Sequence, residues 1–426
     1  MRRAPEFHPL GLIAAYLLCF FARAGEGPEV PRIDCVHPAE KQPWTSDPDT
    51  IWYDSFDGDE STQQKYFEYT SGTPGAKRSA TVFLGKGGQA MECFYPKGSK
   101  GVGGRKLVFG DCPIGPAVKK GRKFEEVYWR IYVKHQKGWT GGGPAKMSRA
   151  TSFTAGNWTQ AMIAHVWSSG EGLTLDPASG VKGGAVVTTK YNDFGLLKWL
   201  GNRPPSPFKI SATEESGRWV MVESRAKLNA LGQSDGINQL WIDGILQCER
   251  RNLNWRGTYD EKGINAVFLE AYWNNGSPVD QHRWYDDFVV STKPIGPLVA
   301  PANPTLQKTP FFGAAGTKQA AWEAEVAVRL EAQKEGAVRI FERKEDHGAP
   351  VGEDAWGEVV WKSRSVEGEG LAVAVNATSG AFSGPSAGKT ALEGGRTHFV
   401  RCRQKDSAGN WSEWSSWHQA FMTERP

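Results

Sequence analysis

The chain has 426 residues and a formal net charge of +4, with 51 Lys and Arg against 47 Asp and Glu, so overall charge gives no argument for a nucleic-acid partner. That length can form two domains with sizeable cores, and 50 Gly with 18 Trp suit a turn-rich β protein with aromatic surfaces. 

Arg2 and Arg3 precede an apolar run from Leu10 to Phe21, followed by Ala22-Arg23-Ala24. This is the pattern of a secretory signal cut after Ala24, too short to be preferred as a membrane span, and it predicts an exported protein that does not span a membrane. Export permits disulfides, and loss of Cys19 with the signal leaves Cys35, Cys93, Cys112, Cys248 and Cys402. Cys93 and Cys112 lie on adjacent strand-like runs and are the expected pair, a closure that would stabilise by roughly 3 kcal/mol. Cys35 with Cys248 is a second candidate pair, and Cys402 reads as an unpaired core residue. No Cys/His spacing suggests zinc.

Residues 25–50 are Pro-rich and read as an irregular lead-in. The segment 51–57 (IWYDSFD) starts the first strand, and 284–290 (WYDDFVV) looks like its neighbour at the far end of the sandwich. Short strands are expected at 80–84, 90–95 and 106–109. Between Lys97 and Lys123 stand eight basic residues and one acid, Asp111; they form either a solvated face or an anion-attracting rim. In 123–134 (KFEEVYWRIYVK), Val127, Trp129, Ile131 and Val133 share one face, and Tyr128, Arg130, Tyr132 and Lys134 the other. Phenol rings alternating with cations suit an anionic sugar, although a half-exposed strand covering a sheet edge would carry the same residues.

The loop 139–146 (WTGGGPAK) lacks both the GxxxxGK[ST] spacing and the strand-to-helix context of a phosphate loop. A strand follows at 160–167, where His165 shares a face with Ala161, Ile163 and Trp167 and reads first as a hydrogen-bonded structural histidine. Residues 168–217 hold a strand at 184–190 and a loop able to wall a cleft. The clearest pattern is 218–290, where the segments 219–228, 239–247, 266–273 and 284–290 alternate with period two. Turn signals at Ser234-Asp235-Gly236, Asp243-Gly244 and Asn274-Asn275-Gly276 divide them, which predicts an antiparallel sheet. Glu223 and Glu270 read as paired or rim charges.

Taken together, the YWRIYVK strand, the GGG-x-x-K loop, the His-Val-Trp strand end, RWVMVESRAKLN, SDGINQLWIDG, LNWRG and YDDFVV resemble the alginate-lyase-like fourteenth polysaccharide lyase family and its concanavalin-like jelly-roll relatives. The resemblance covers residues 51–292. It implies an all-β jelly roll holding an acidic polysaccharide, and a carbon–oxygen lyase that cleaves by β-elimination. In that chemistry a cation or amide neutralises the uronate carboxylate, a base removes the C5 proton and an acid protonates the leaving oxygen. Lys146 matches the lysine of the family's Gly-rich loop. The family's serine and tyrosine pair are missing: Met162 stands near the first, and Leu173-Thr174-Leu175-Asp176 occupies the place of the second. Tyr128, Tyr132 and Tyr191 are the available substitutes. The candidate catalytic residues are therefore Lys146, Tyr132 and His165, and the candidate substrate-binding residues Tyr128, Arg130, Lys134, Trp139, Gln160 and Tyr272. A non-catalytic carbohydrate-binding or adhesion protein is the alternative. Hydrolysis is disfavoured, because it needs two carboxylates about 5 to 10 Å apart, the ExDxxE strand is absent, and Asp286 and Asp287 are adjacent and so point apart. No cofactor is expected beyond a possible structural calcium ion, and a monomer is expected.

Prolines 294, 297, 301 and 304 punctuate a linker read as 293–309. Residues 310–426 follow as a second β module. HFVRCRQKDSAGNWSEWS resembles the final strands of fibronectin type III domains, with His398 where a corner tyrosine is usual. Arg401 and Arg403 are expected to stack with the Trp411-Ser-Glu-Trp-Ser indoles as a cation–π ladder.

Overall fold

The computed structural model describes residues 27–58, 66–69, 72–201, 204–346 and 349–425, and the expected signal segment lies outside them. The chain is all-β: among the described residues only short 3-10 turns interrupt strands and loops, and no helix is long and apolar enough to cross a membrane.

The strands are β1 (Ile33–Val36), β2 (Thr50–Asp54), β3 (Lys77–Ser79), β4 (Ala90–Tyr95), β5 (Gly101–Val108), β6 (Glu126–His135), β7 (Lys146–Phe153), β8 (Gln160–Ser169) and β9 (Gly172–Ser179). They continue with β10 (Val181–Lys182), β11 (Ala185–Val186), β12 (Lys198–Trp199), β13 (Trp219–Lys227), β14 (Gly236–Ile242), β15 (Ile245–Leu253), β16 (Ala266–Tyr272) and β17 (Gln281–Ser291). A six-stranded sheet runs β12-β9-β8-β7-β16-β5, and an eight-stranded sheet runs β15-β14-β13-β6-β17-β4-β3 with β2 also on β17. Between them lies the main core, to which β6 contributes Val127, Trp129, Ile131 and Val133, the face its alternation predicts.

The expected pairing of the first and last strands is present, with Tyr53 opposite Val289 and Asp54 opposite Phe288. The Asp243-Gly244 turn joins β14 and β15 with φ of +46° and +73°, the left-handed pair that a two-residue hairpin requires. The stretch 218–290 does not stay in one sheet, however. β16 crosses to the six-stranded sheet while β13, β14, β15 and β17 form the other, because period two reports a strand's two faces and not its layer.

All five described cysteines are free thiols, which corrects both expected pairings. Cys93 points from β4 into the main core, whereas Cys112 packs beside Ile114, Phe153 and Phe268 in a separate cluster. Cys248 lies in the main core and Cys35 packs with Trp44 and Trp284. Sequence places Cys93 and Cys112 on neighbouring runs, but in both expected pairs the two side chains pack in different clusters.

The second β module packs a large sheet, ordered Val299–Ala300, His418–Thr423, Thr397–Asp406, Gln319–Leu330, Ala355–Ser363 and Val338–Phe341, against a three-stranded one. The small sheet is β1, Thr305–Lys308 and Ala372–Ala374, so the N-terminal lead-in and the Pro-rich connector both supply strands to this module. Arg401 lies 4.9 and 4.6 Å from the rings of Trp414 and Trp417, and Arg403 lies 4.6 and 4.7 Å from those of Trp411 and Trp414. This is the expected ladder, each exposed contact being worth about 0.5 to 1 kcal/mol.

Candidate active site

Strands β16, β7, β8 and β9 direct alternate side chains away from the main core, and their register aligns these into rows. Phe268, Arg149, His165 and Asp176 face one another across the four strands, with Lys106 of β5 at the end of the row. Tyr272, Lys146, Trp167 and Thr174 make the next row. Where the rows meet the loop 191–194 lies an open cleft of about 480 Å³ lined by Lys106, Lys146, Arg149, Tyr191, Glu270 and Tyr272.

Arg149 organises its floor. Its fully buried guanidinium donates to Glu270 Oε1 at 2.6 Å, to Asn192 Oδ1 at 2.6 Å, and to the Tyr191 hydroxyl. Asn192 takes φ of +53°, which asparagine tolerates, and this turn brings the Tyr191 ring back over the sheet. Gln160, fully buried, fixes the same turn: its Oε1 accepts from Asn192 N at 2.8 Å while its Nε2 donates to Thr151 Oγ1 at 2.9 Å. Because the Tyr191 oxygen accepts from Arg149, its own hydrogen is available to donate elsewhere. Burial raises the phenol to about 12, the charge of Arg149 opposing that rise, so Tyr191 holds its proton at neutral pH.

Lys146 Nζ lies 4.7 Å from the Tyr272 ring centroid. Burial draws its amine below the ordinary lysine value, with Glu270 opposing and Arg149 and Lys106 adding to the fall. Lys106 Nζ is ion-paired to Glu68 at 2.5 Å and lies within 6 Å of the Trp158, Tyr191 and Phe268 rings. With Lys146 protonated, three cations stand against Glu68 and Glu270; with its amine neutral, Lys106 and Arg149 are each paired to a carboxylate. Beside it, Trp167 and Trp199 pack against His165, and the exposed Phe194 stacks on Trp199 at 6.0 Å.

Of the residues singled out from sequence, Lys146 and Tyr272 line this cleft and Gln160 supports it. His165 is on the same face but is fully buried, with Nδ1 3.1 Å from Asp176 O. Trp139 is buried at the end of the sandwich, donating to Gly142 O at 2.8 Å and stacked on Trp273 at 5.7 Å. The outer face of β6 belongs to the other sheet, and its expected trough is filled by the protein's own chain. Arg130 is fully buried, bonded to Asp287 Oδ1 at 2.8 Å and Gly296 O at 3.0 Å, with Trp44 lying 4.2 Å over it. The Tyr132 hydroxyl accepts from Leu298 N at 2.9 Å, Lys134 pairs with Asp34 at 2.7 Å, and Tyr128 donates to Glu126 Oε1 at 3.0 Å. These residues seat the lead-in and connector and do not converge with Lys146. Glu223 is neither ion-paired among the described residues nor on a rim: it is buried and accepts from the amides of Ile295 and Gly296 at 2.9 and 2.8 Å.

Arg149 is the principal omission of the sequence reading. Its strand, KMSRATSF, carries small residues that give a weak alternation, so nothing marked it. Among the described residues, no group of three or more His, Cys, Asp or Glu side chains is placed to hold a metal ion.

No protein-family model and no curated protein matches the chain by sequence. Solved structures similar to it include an endo-β-1,4-glucuronan lyase from the fungus Trichoderma reesei, at 15% identity over 51% of this chain and 87% of that one, with a TM-score of 0.35. A marine PL-14 alginate lyase from Aplysia kurodai aligns at 15% identity over 57% and 99% of the two chains, with a TM-score of 0.40. An alginate lyase from Chlorella virus aligns at 16% identity over 51% and 90%, with a TM-score of 0.36.

Proposed function

We propose that the protein is a polysaccharide lyase acting on a uronic-acid polymer by β-elimination. The observation that carries this reading is one open cleft that gathers a desolvated lysine, a second lysine and a protonated phenol. The resemblance over residues 51–292, with Lys146 at the family's lysine position, supports it. In the reaction, Lys106 faces the uronate carboxylate and stabilises charge as it moves there. Lys146, as the neutral amine, takes the C5 proton. The C4–O bond then breaks, the electron pair of the C5–H bond forms the C4–C5 double bond, and Tyr191 gives its proton to the leaving oxygen. Arg149 and Glu270 hold the phenol in place. Tyr191 takes over the task of the absent tyrosine pair from a loop instead of from β9. Export and a monomeric state, expected from the sequence, belong to the same proposal.

The test is incubation with glucuronan, alginate and other acidic glycans, following ultraviolet absorbance of the unsaturated product. Rising absorbance on a uronic-acid polymer, lost in Tyr191→Phe, is the expected result. Salt-sensitive binding without new absorbance would instead indicate a carbohydrate-binding protein on this scaffold, and neither binding nor cleavage across the panel would remove both readings.

A further inference from the structure

Strict alternation along β7 would not put Lys146 in the cleft. Counting back from Arg149, which faces outward, residue 146 would point into the core. A line of bulges across the sheet reverses it. Between β7 and β8 the register steps from Ser148↔Val166 to Lys146↔Trp167, leaving Met147 as an extra residue. Between β16 and β7 it steps from Leu269↔Ser148 to Tyr272↔Lys146, and between β16 and β5 from Ala271↔Gly103 to Tyr272↔Gly101. Met147 packs in the main core, and Ser148 Oγ accepts from the core indole of Trp129 at 3.0 Å. Two successive residues therefore face inward and Lys146 emerges on the open side.

A bulge leaves backbone carbonyls without ladder partners, and here they point between the sheets. Arg283 meets them from β17 of the opposite sheet. Its Nη2 donates to Glu270 O at 3.0 Å and toward Lys146 O at 3.4 Å, and the Tyr285 hydroxyl donates to Glu270 O at 3.0 Å. Arg283 is fully buried and forms no ion pair among the described residues; the rings of Tyr95 and Tyr285 flank it at 5.7 and 4.8 Å. A buried guanidinium without a carboxylate costs stability, and an apolar side chain would fill the same volume without that cost. What the arginine alone supplies is a donor reaching the carbonyls of two cleft residues at once.

We propose that Arg283, assisted by Tyr285, is a positioning residue that pins this bulge and so turns the Lys146 amine into the cleft. Its bearing on turnover rests on the lyase reading above; its bearing on the geometry does not. The test uses the full chain with lysines reductively methylated with 13C, the Lys146 resonance being assigned by its loss in Lys146→Arg. In the parent protein that resonance should be displaced upfield by the Tyr272 ring. In Arg283→Met the displacement should be lost and the Lys146 titration should move up toward that of a solvated lysine, with partial recovery in Arg283→Lys. A folded Arg283→Met protein with an unchanged Lys146 resonance and titration would overturn the proposal. Should Arg283→Met fail to fold, Tyr285→Phe decides: a smaller change of the same sign supports it, and no change overturns it. Loss of the ring shift in a protein that cleaves no glycan would leave the positioning role standing and remove the lyase reading.

Discussion

In the proposed elimination Lys146 and Tyr191 need opposite protonation states, and their surroundings push each toward the required one. Burial favours the neutral amine at Lys146 and the protonated phenol at Tyr191. The rate should therefore rise with pH as Lys146 loses its proton, over a range below that of a solvated lysine, and should not fall until the phenol ionises near 12. Lys146→Arg separates base from cation: arginine keeps the charge but cannot deprotonate, so kcat should drop by about 10²- to 10⁴-fold with binding retained. Near-normal turnover in that variant would assign the lysine to charge neutralisation instead. Glu270 shows how much of this residue-level chemistry the sequence discloses. Its role as a paired charge is legible from its strand position, but its partner Arg149 lies 121 positions away and is brought to it only by the pairing of β7 with β16.

At the level of single elements, β6 shows where the reading succeeds and where it stops. Alternation correctly divides it into two faces, because a strand's pleat permits nothing else. It cannot tell what covers the second face. Tyr128, Arg130, Tyr132 and Lys134 have the composition of a sugar-binding surface, and the same composition equally well satisfies the amides and carbonyls of an overlying chain. Arg130→Ala should accordingly leave glycan binding unchanged while lowering stability by about 3 to 5 kcal/mol, since it strands Asp287 in the interior. Chemical denaturation alongside a binding assay checks this, and weakened binding in a fully stable variant would contradict the placement. Strand β7 was unreadable for a different reason. The bulge at Met147 shifts its phase by one residue, and such a shift is set by contacts from another sheet.

For the molecule as a whole, the junction between the modules is built from buried charge. Glu215 stays ionised to about 2, because Arg218 and Arg32 outweigh the burial that would otherwise raise it. His418 accepts from Ile33 N at 2.9 Å through Nε2, and burial, then Arg218 and Arg32, lower it from 6.5 to about 3. Protons therefore bind the unfolded histidine first. Its contribution is fully present above pH 6.5 and is lost progressively as pH falls toward 3. The midpoint of thermal unfolding should decline across that window, and the decline should be shallower in His418→Gln. An equal slope in the two proteins would show that this histidine does not govern the junction. The all-β class and the indole–guanidinium ladder were legible because both rest on local pattern. This junction was not, since residues 32–33, 215–218 and 418 that build it are brought together from three distant parts of the sequence.

Strand β1 carries a consequence for biosynthesis. Ile33 pairs with Lys308 and Val36 with Leu306, so β1 waits for a partner made some 270 residues later. At about 5 to 20 residues per second, a ribosome would leave that apolar segment without its mate for tens of seconds. The small sheet can close only after the sandwich encoded between its strands has been made, which makes the second module dependent on a strand that precedes the first. A polypeptide started at residue 310 would lack two of the three strands in that sheet, and its exposed edge would invite association between copies.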